Sequence, residues 1–135
     1  MNKSFLMSGS KCLLDTSVII HAFKKHNAVS DRLDGIAEVF VPITVIGELY
    51  YGAYKSADEA KHIRQVESFL SNCKILQPDN ATADFYGSIK AALNKKGKPI
   101  PDNDIWIAAI ALQHGLALFT TDHHFTEIDS LNLVK

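Results

Sequence analysis

Short apolar runs alternate along the chain with longer stretches whose apolar residues recur every three or four positions. This rhythm predicts an α/β domain built on a parallel sheet. The runs at 11–14, 38–41 and 116–119 read as buried strands, 74–76 as a short strand candidate, and 132–134 as a weaker one. Ser17 suits the N-cap of a helix over 18–23, and a second helix is expected over 30–36, stopped near Gly35. Pro42 stands where the next helix begins, and Ile43, Ile46, Gly47, Tyr50, Ala53 and Tyr54 trace its apolar stripe. A more charged helix is expected over 56–70, with Ile63, Val66, Phe69 and Leu70 inward, and another over 80–95. Pro101-Asp102-Asn103-Asp104 then opens a helix that is apolar on all sides through Leu112, so it must be deeply buried, with Trp106 in the core. Asp102 is the better N-cap candidate there, and Gly115 closes the helix.

The size of 135 residues fits a single domain. Residues 1–10 show no period and are read as a flexible leader or extension, leaving the domain at 11–135. Fourteen Lys and Arg stand against fifteen Asp and Glu, which excludes nucleic-acid binding through bulk charge but leaves room for a local basic rim. Cys12 and Cys73 form no CxxC motif, and a reducing cytoplasm is expected. No run is long and apolar enough for a transmembrane helix, so no membrane partner is expected.

Ligands of open parallel sheets bind beyond the carboxyl ends of the strands. Two strand-like runs end there in aspartates, Asp15 and Asp122, and Glu48 and Asp104 lie in the opening turns of apolar helices. The four acids are 33, 56 and 18 residues apart, so only the fold can unite them. If they meet, crowded carboxylates need compensation, and no Lys or Arg lies within three residues of any of them. Hard oxygen donors without His or Cys favour Mg²⁺ or Mn²⁺, which activate water and offset charge on a phosphodiester. Taken singly, each acid has a plainer reading. Asp15 and Asp104 suit helix starts, Glu48 an exposed helix face, and Asp122 a turn.

The segments Leu14-Asp15-Thr16-Ser17, Gly47-Glu48-Leu49-Tyr50-Tyr51-Gly52-Ala53, Pro101-Asp102-Asn103-Asp104-Ile105-Trp106-Ile107-Ala108-Ala109 and Leu118-Phe119-Thr120-Thr121-Asp122 together resemble the PIN domain. Within that superfamily the chain is similar to the VapC-type ribonuclease toxins of toxin–antitoxin pairs, from Cys12 to about Val134. The resemblance implies a three-layer α/β/α sandwich around a five-stranded parallel sheet. It implies a Mg²⁺- or Mn²⁺-dependent endoribonuclease with Asp15, Glu48, Asp104 and Asp122 as the acids of the metal site, and Thr16 and Thr120 as supporting polar residues. Water then attacks phosphorus in line and the 3′-oxygen leaves. It also implies a homodimer built from the apolar helix faces near Tyr50, Tyr54 and the start of the Asp104 helix, and an antitoxin laid over a groove lined by segments 43–54 and 58–70.

Lys95, Lys96 and Lys98 form the one basic cluster and are candidate RNA contacts, although a solvated loop is the plainer reading. His123 is a further candidate, since His123 and His124 follow Asp122 within reach of a metal or phosphate. Tyr50, Tyr51 and Tyr54 suit base stacking, or packing at helical spacing. Two other functions stand beside the nuclease. An aspartyl-phosphate phosphatase also ends its first strand in Asp, but it needs a second Asp where Ser17 stands. A non-cleaving RNA- or protein-binding scaffold needs a lost acid, and all four acids are present.

Overall fold

A computed structural model describes residues 10–25 and 27–134, so all of the expected leader except Ser10 lies outside the described residues. The chain runs β1 (Lys11–Leu14), α1 (Thr16–Phe23), α2 (Asn27–Asp34), β2 (Glu38–Pro42), α3 (Ile43–Tyr54), α4 (Glu59–Leu70), β3 (Lys74–Leu76), α5 (Asn80–Lys95), α6 (Asp102–His114) and β4 (Ala117–Phe119). A 3₁₀ turn over His123–Glu127 follows. All four strands are parallel, in the spatial order β3-β2-β1-β4. The central strand β1 sets Leu13 opposite Phe40 on one side and Leu118 on the other.

That order has a functional consequence. From β1 the chain adds β2 and β3 outward on one side, then returns to place β4 against the other side of β1. The reversal opens a crevice beyond the carboxyl ends of β1 and β4, where ligands of such sheets bind. Asp15 directly follows β1, and Asp122 lies three residues past β4. The amide of Asp15 donates to the Phe119 carbonyl at 3.1 Å, tying the two strand ends together.

Helix α6 enters the core as its composition demands. Ile105, Ile107 and every residue from Ala108 to Ala111 are buried. Gly115 takes the left-handed conformation, φ 63°, that ends a helix and favours glycine, and the Leu116 amide returns to the Ala111 carbonyl at 2.9 Å.

Several local expectations change. Helix α1 begins at Thr16 with Asp15 in the N-cap position, so Ser17 lies inside the first turn and caps nothing. Helix α2 starts earlier than expected, at Asn27, and α6 begins after Pro101, so Asp102 is its first residue and not its cap. In α3 the buried stripe is Val45, Ile46, Leu49 and Ala53, whereas Ile43 and Tyr54 face outward. Trp106 is only half-buried and stacks on Tyr86 of α5, with ring centroids 4.2 Å apart. The strand expected at 132–134 is a single parallel bridge between Leu133 and Leu118, so the described residues form a four-stranded sheet. Two backbone hydrogen bonds hold the segment there, from the Leu118 amide to the Asn132 carbonyl at 2.8 Å and from the Val134 amide to the Leu118 carbonyl at 2.9 Å, while Leu131, Leu133 and Val134 pack against the core.

Candidate metal centre

Asp15 is the innermost acid of the crevice, 4% exposed. Its Oδ2 accepts hydrogen bonds from Ser17 Oγ at 2.8 Å and Thr120 Oγ1 at 2.7 Å. The same hydroxyls brace the loop after β4: the Thr121 amide donates to Ser17 Oγ at 3.1 Å, and the Asp122 amide to Thr120 Oγ1 at 2.9 Å. Ser17 is therefore a site residue that a capping interpretation misses, because Ser is equally common at helix starts. Thr16 points to another partner, donating to Glu48 Oε1 of α3 at 2.8 Å.

Asp104 reaches the crevice from the first turn of α6, where a negative charge complements the helix dipole. Burial pushes its carboxyl above the ordinary range, and the charges of Asp15 and Asp122 add to that, while a hydrogen bond from His124 opposes them. Asp122 Oδ1 accepts the His124 amide at 2.9 Å, which starts the 3₁₀ turn. The His124 ring turns back over both acids, with Nδ1 3.0 Å from Asp104 Oδ2 and 3.2 Å from Asp122 Oδ1. The hydrogen bond to Asp104 and the nearby charge of Asp122 raise its affinity for a proton.

Donor atoms of Asp104, Asp122 and His124 all lie within 4.8 Å of one another. Asp15 adjoins this group closely enough for its charge to act on Asp104, whereas Glu48 is held through Thr16 and stands outside the tight trio. Among the described residues no Lys or Arg forms an ion pair with any of the four acids. Hard carboxylate oxygens that repel one another, with no local cation but a half-exposed imidazole, fit a divalent cation.

The other candidates separate. Lys96 is engaged by Glu127 and Asp129 and by the Glu127 carbonyl, so it is spent on the loop after the 3₁₀ turn. Lys95, Lys98 and His123 are exposed, and the ring against the acids is that of His124 rather than His123. Tyr86 and Lys90 both donate to Asp102 Oδ1 at 3.1 Å, which joins α5 to the start of α6 beside Asp104. Neither cysteine offers a thiolate: burial pushes Cys12 up to about 12 and Cys73 to about 11.

Comparison with known proteins agrees with this geometry. The PIN domain family matches residues 12–131. Ribonuclease VapC2 of Haemophilus influenzae is 38% identical over 114 residues, covering 83% of this chain and 86% of the relative. The tRNA(fMet)-specific endonuclease VapC of Shigella flexneri is 32% identical over the same shares. Among solved structures, VapBC2 from Rickettsia felis bound to a DNA fragment from its promoter superposes with a TM-score of 0.86 at 27% identity, over 92% of this chain and 97% of that one. DNA-bound VapBC from Salmonella typhimurium gives 0.85 at 29% identity, over 93% and 97%. With the acids at the strand-order reversal and these matches along most of its length, the chain belongs to the PIN-domain family, among the VapC ribonucleases of toxin–antitoxin systems.

Proposed function

We propose that this chain is the toxin of a toxin–antitoxin pair and hydrolyses RNA phosphodiester bonds at the Asp15–Asp104–Asp122 crevice with Mg²⁺ or Mn²⁺. The observation that carries the reading is the convergence of Asp104 and Asp122 donor atoms within 4.8 Å beside the buried Asp15, with no Lys or Arg among the described residues paired to them. Asp15, Asp104 and Asp122 would hold the ion, with Glu48 at the rim. When bound, such an ion lowers the pKa of water and offsets charge on the phosphate oxygens. The chain's own residues do the positioning. Ser17 and Thr120 fix the Asp15 carboxylate, Thr16 fixes Glu48, and the α6 amino terminus orients Asp104. Lys95, Lys98 and His123 are exposed and available to an RNA backbone. Incubation with total RNA, with Mg²⁺ or with EDTA, tests this: cleavage with 5′-phosphate ends is expected only with the ion. Equal cleavage in EDTA overturns it.

A partner surface supports the toxin reading. Between α1, α3 and α4 lies a groove of about 360 Å³, floored by Ile20, Phe23, Leu49, Ala53 and Val66 and rimmed by Lys61 and His62. It joins the two segments, 43–54 and 58–70, expected to receive an antitoxin. Gly52 lines this groove, and a Cβ built there meets nothing within 4 Å. A Gly52→Phe chain should therefore fold and cut RNA yet fail to bind its antitoxin, as read by co-purification. The exposed rings of Tyr51 and Tyr54 on α3 favour a homodimer, and sedimentation at twice 14.9 kDa is the expected result. No helix among the described residues is long and apolar enough to cross a membrane.

A further inference from the structure

We propose that His124 supplies a nitrogen ligand to the ion at the acid crevice, which makes this a mixed oxygen–nitrogen site. The inference rests on reading Asp104 and Asp122 as metal ligands, and goes beyond it by adding a donor of different chemistry.

Three features place the imidazole. Asp122 Oδ1 accepts the His124 amide at 2.9 Å, which fixes the backbone at the start of the 3₁₀ turn. The next residue, Phe125, is fully buried, and Ile128 one turn on is buried too, so the turn is anchored in the core. The ring is thereby held with Nδ1 3.0 Å and 3.2 Å from oxygens of two acids that arrive from different elements. Adjacent donors on an octahedral ion with bonds of roughly 2.1 Å stand about 3 Å apart. The two observed separations have that spacing, which an Nδ1–H donating to the acids shares, so a bound ion would take the place of that proton. The His124 side chain is half-exposed, so a ligand role requires no burial of the ring.

The chemical consequence is selectivity. Carboxylates and water suit Mg²⁺ and Mn²⁺, whereas imidazole also suits later transition metals, whose affinity rises from Mn²⁺ to Co²⁺ and Ni²⁺. A site with one imidazole among hard oxygens should bind Co²⁺ and Ni²⁺ with a larger preference over Mg²⁺ than an all-oxygen site.

The rival role is a hydrogen bond from His124 that merely orients Asp104. Pulsed electron paramagnetic resonance on the full chain loaded with Mn²⁺ separates the two. Direct ligation predicts ¹⁴N coupling to the ion that disappears in His124→Gln and persists in His123→Gln. Titrations should show the Co²⁺-over-Mg²⁺ preference falling about tenfold in His124→Gln with little change for Mg²⁺. An orienting role predicts no ¹⁴N coupling and an equal loss for both ions. Bound Mn²⁺ that Asp104→Asn releases, without ¹⁴N coupling or with coupling that survives His124→Gln, overturns the inference and leaves the acid site standing. Mn²⁺ binding that Asp104→Asn does not weaken overturns the acid site and this inference together.

Discussion

Helices α5 and α6 each begin beside an aspartate, and the two aspartates have opposite surroundings. Asp79, the N-cap of α5, is surrounded by donors. Its Oδ1 accepts from the Thr82 amide at 3.1 Å and from Gln113 Nε2 at 2.9 Å, while Thr82 Oγ1 takes the Asp79 amide to complete a capping box and bonds Gln113 Oε1. These hydrogen bonds hold the Asp79 carboxyl below its ordinary range. Asp104, in the first turn of α6, is half-buried among like charges and is held above that range. Gln113 lies near the end of the same α6, so one helix carries both the donor that satisfies Asp79 and the acid left short of donors. The capping carboxylate is supplied with donors by the fold, whereas the one we propose as a cation ligand lies among like charges.

Neutralising each acid tests that contrast most sharply. Asp104→Asn should cut cleavage by about a thousandfold, the several kcal/mol of charge stabilisation that a metal supplies. Its melting temperature in EDTA should hold or rise, since repulsion with Asp15 and Asp122 is relieved. Asp79→Asn should leave cleavage intact. A near wild-type rate for Asp104→Asn would end the contrast. Mg²⁺ at a hundred times its dissociation constant should stabilise the wild type by about 2.7 kcal/mol through mass action. The same addition should leave the melting curve of Asp104→Asn unmoved, and an equal shift in both proteins places the ion elsewhere.

A smaller effect is expected from the hydroxyls that hold Asp15. Ser17→Ala removes the 2.8 Å bond to Oδ2 but leaves the one from Thr120, so activity and metal affinity should fall by roughly ten- to a hundredfold. Calorimetric Mg²⁺ titration alongside the cleavage assay reads both. Unchanged affinity would show that Thr120 suffices.

Legibility followed the length scale of the interactions. The runs that became β1 and β4, and the all-apolar α6, were readable because burial leaves a continuous apolar pattern, whereas β3 at the sheet edge, with Lys74 and Ile75 exposed, was legible only as a short apolar run. The four acids were readable as candidates from strand ends and helix starts, and the motif resemblance tied them together. What brings Asp15, Asp104 and Asp122 to one crevice is the strand order, a contact between residues over a hundred positions apart, which no local pattern encodes. Ser17 looked like a cap because capping and carboxylate-holding demand the same hydroxyl at the same place. The separation of His124 from His123 depends on which ring the 3₁₀ turn directs inward, and adjacent identical residues carry no such signal. Trp106 looked like core because its helix is apolar all round, yet it lies on the side where Tyr86 of α5 covers one ring face.

The smallest expected effect belongs to Asp79 and concerns pH. A carboxyl whose folded value is lowered stabilises the protein fully above its ordinary value, 3.8, and loses that contribution as pH falls through the lower folded value. Asp79→Asn keeps an oxygen able to accept from Thr82 and Gln113 but removes the charge, so its stability carries no such term. The melting temperature of the wild type should therefore exceed that of Asp79→Asn by a small, constant margin near neutral pH. The margin should close as the solution is taken well below pH 3.8, where the native carboxylate takes up its proton. Because Asp79 is open to solvent, added salt should narrow the margin as well. A margin independent of pH would mean that the hydrogen bonds from Thr82 and Gln113 serve a neutral acceptor as well as a charged one. The difference between Asp79 and Asp104 would then lie in the crowding of acids around Asp104 alone, and the donors around Asp79 would owe nothing to its charge.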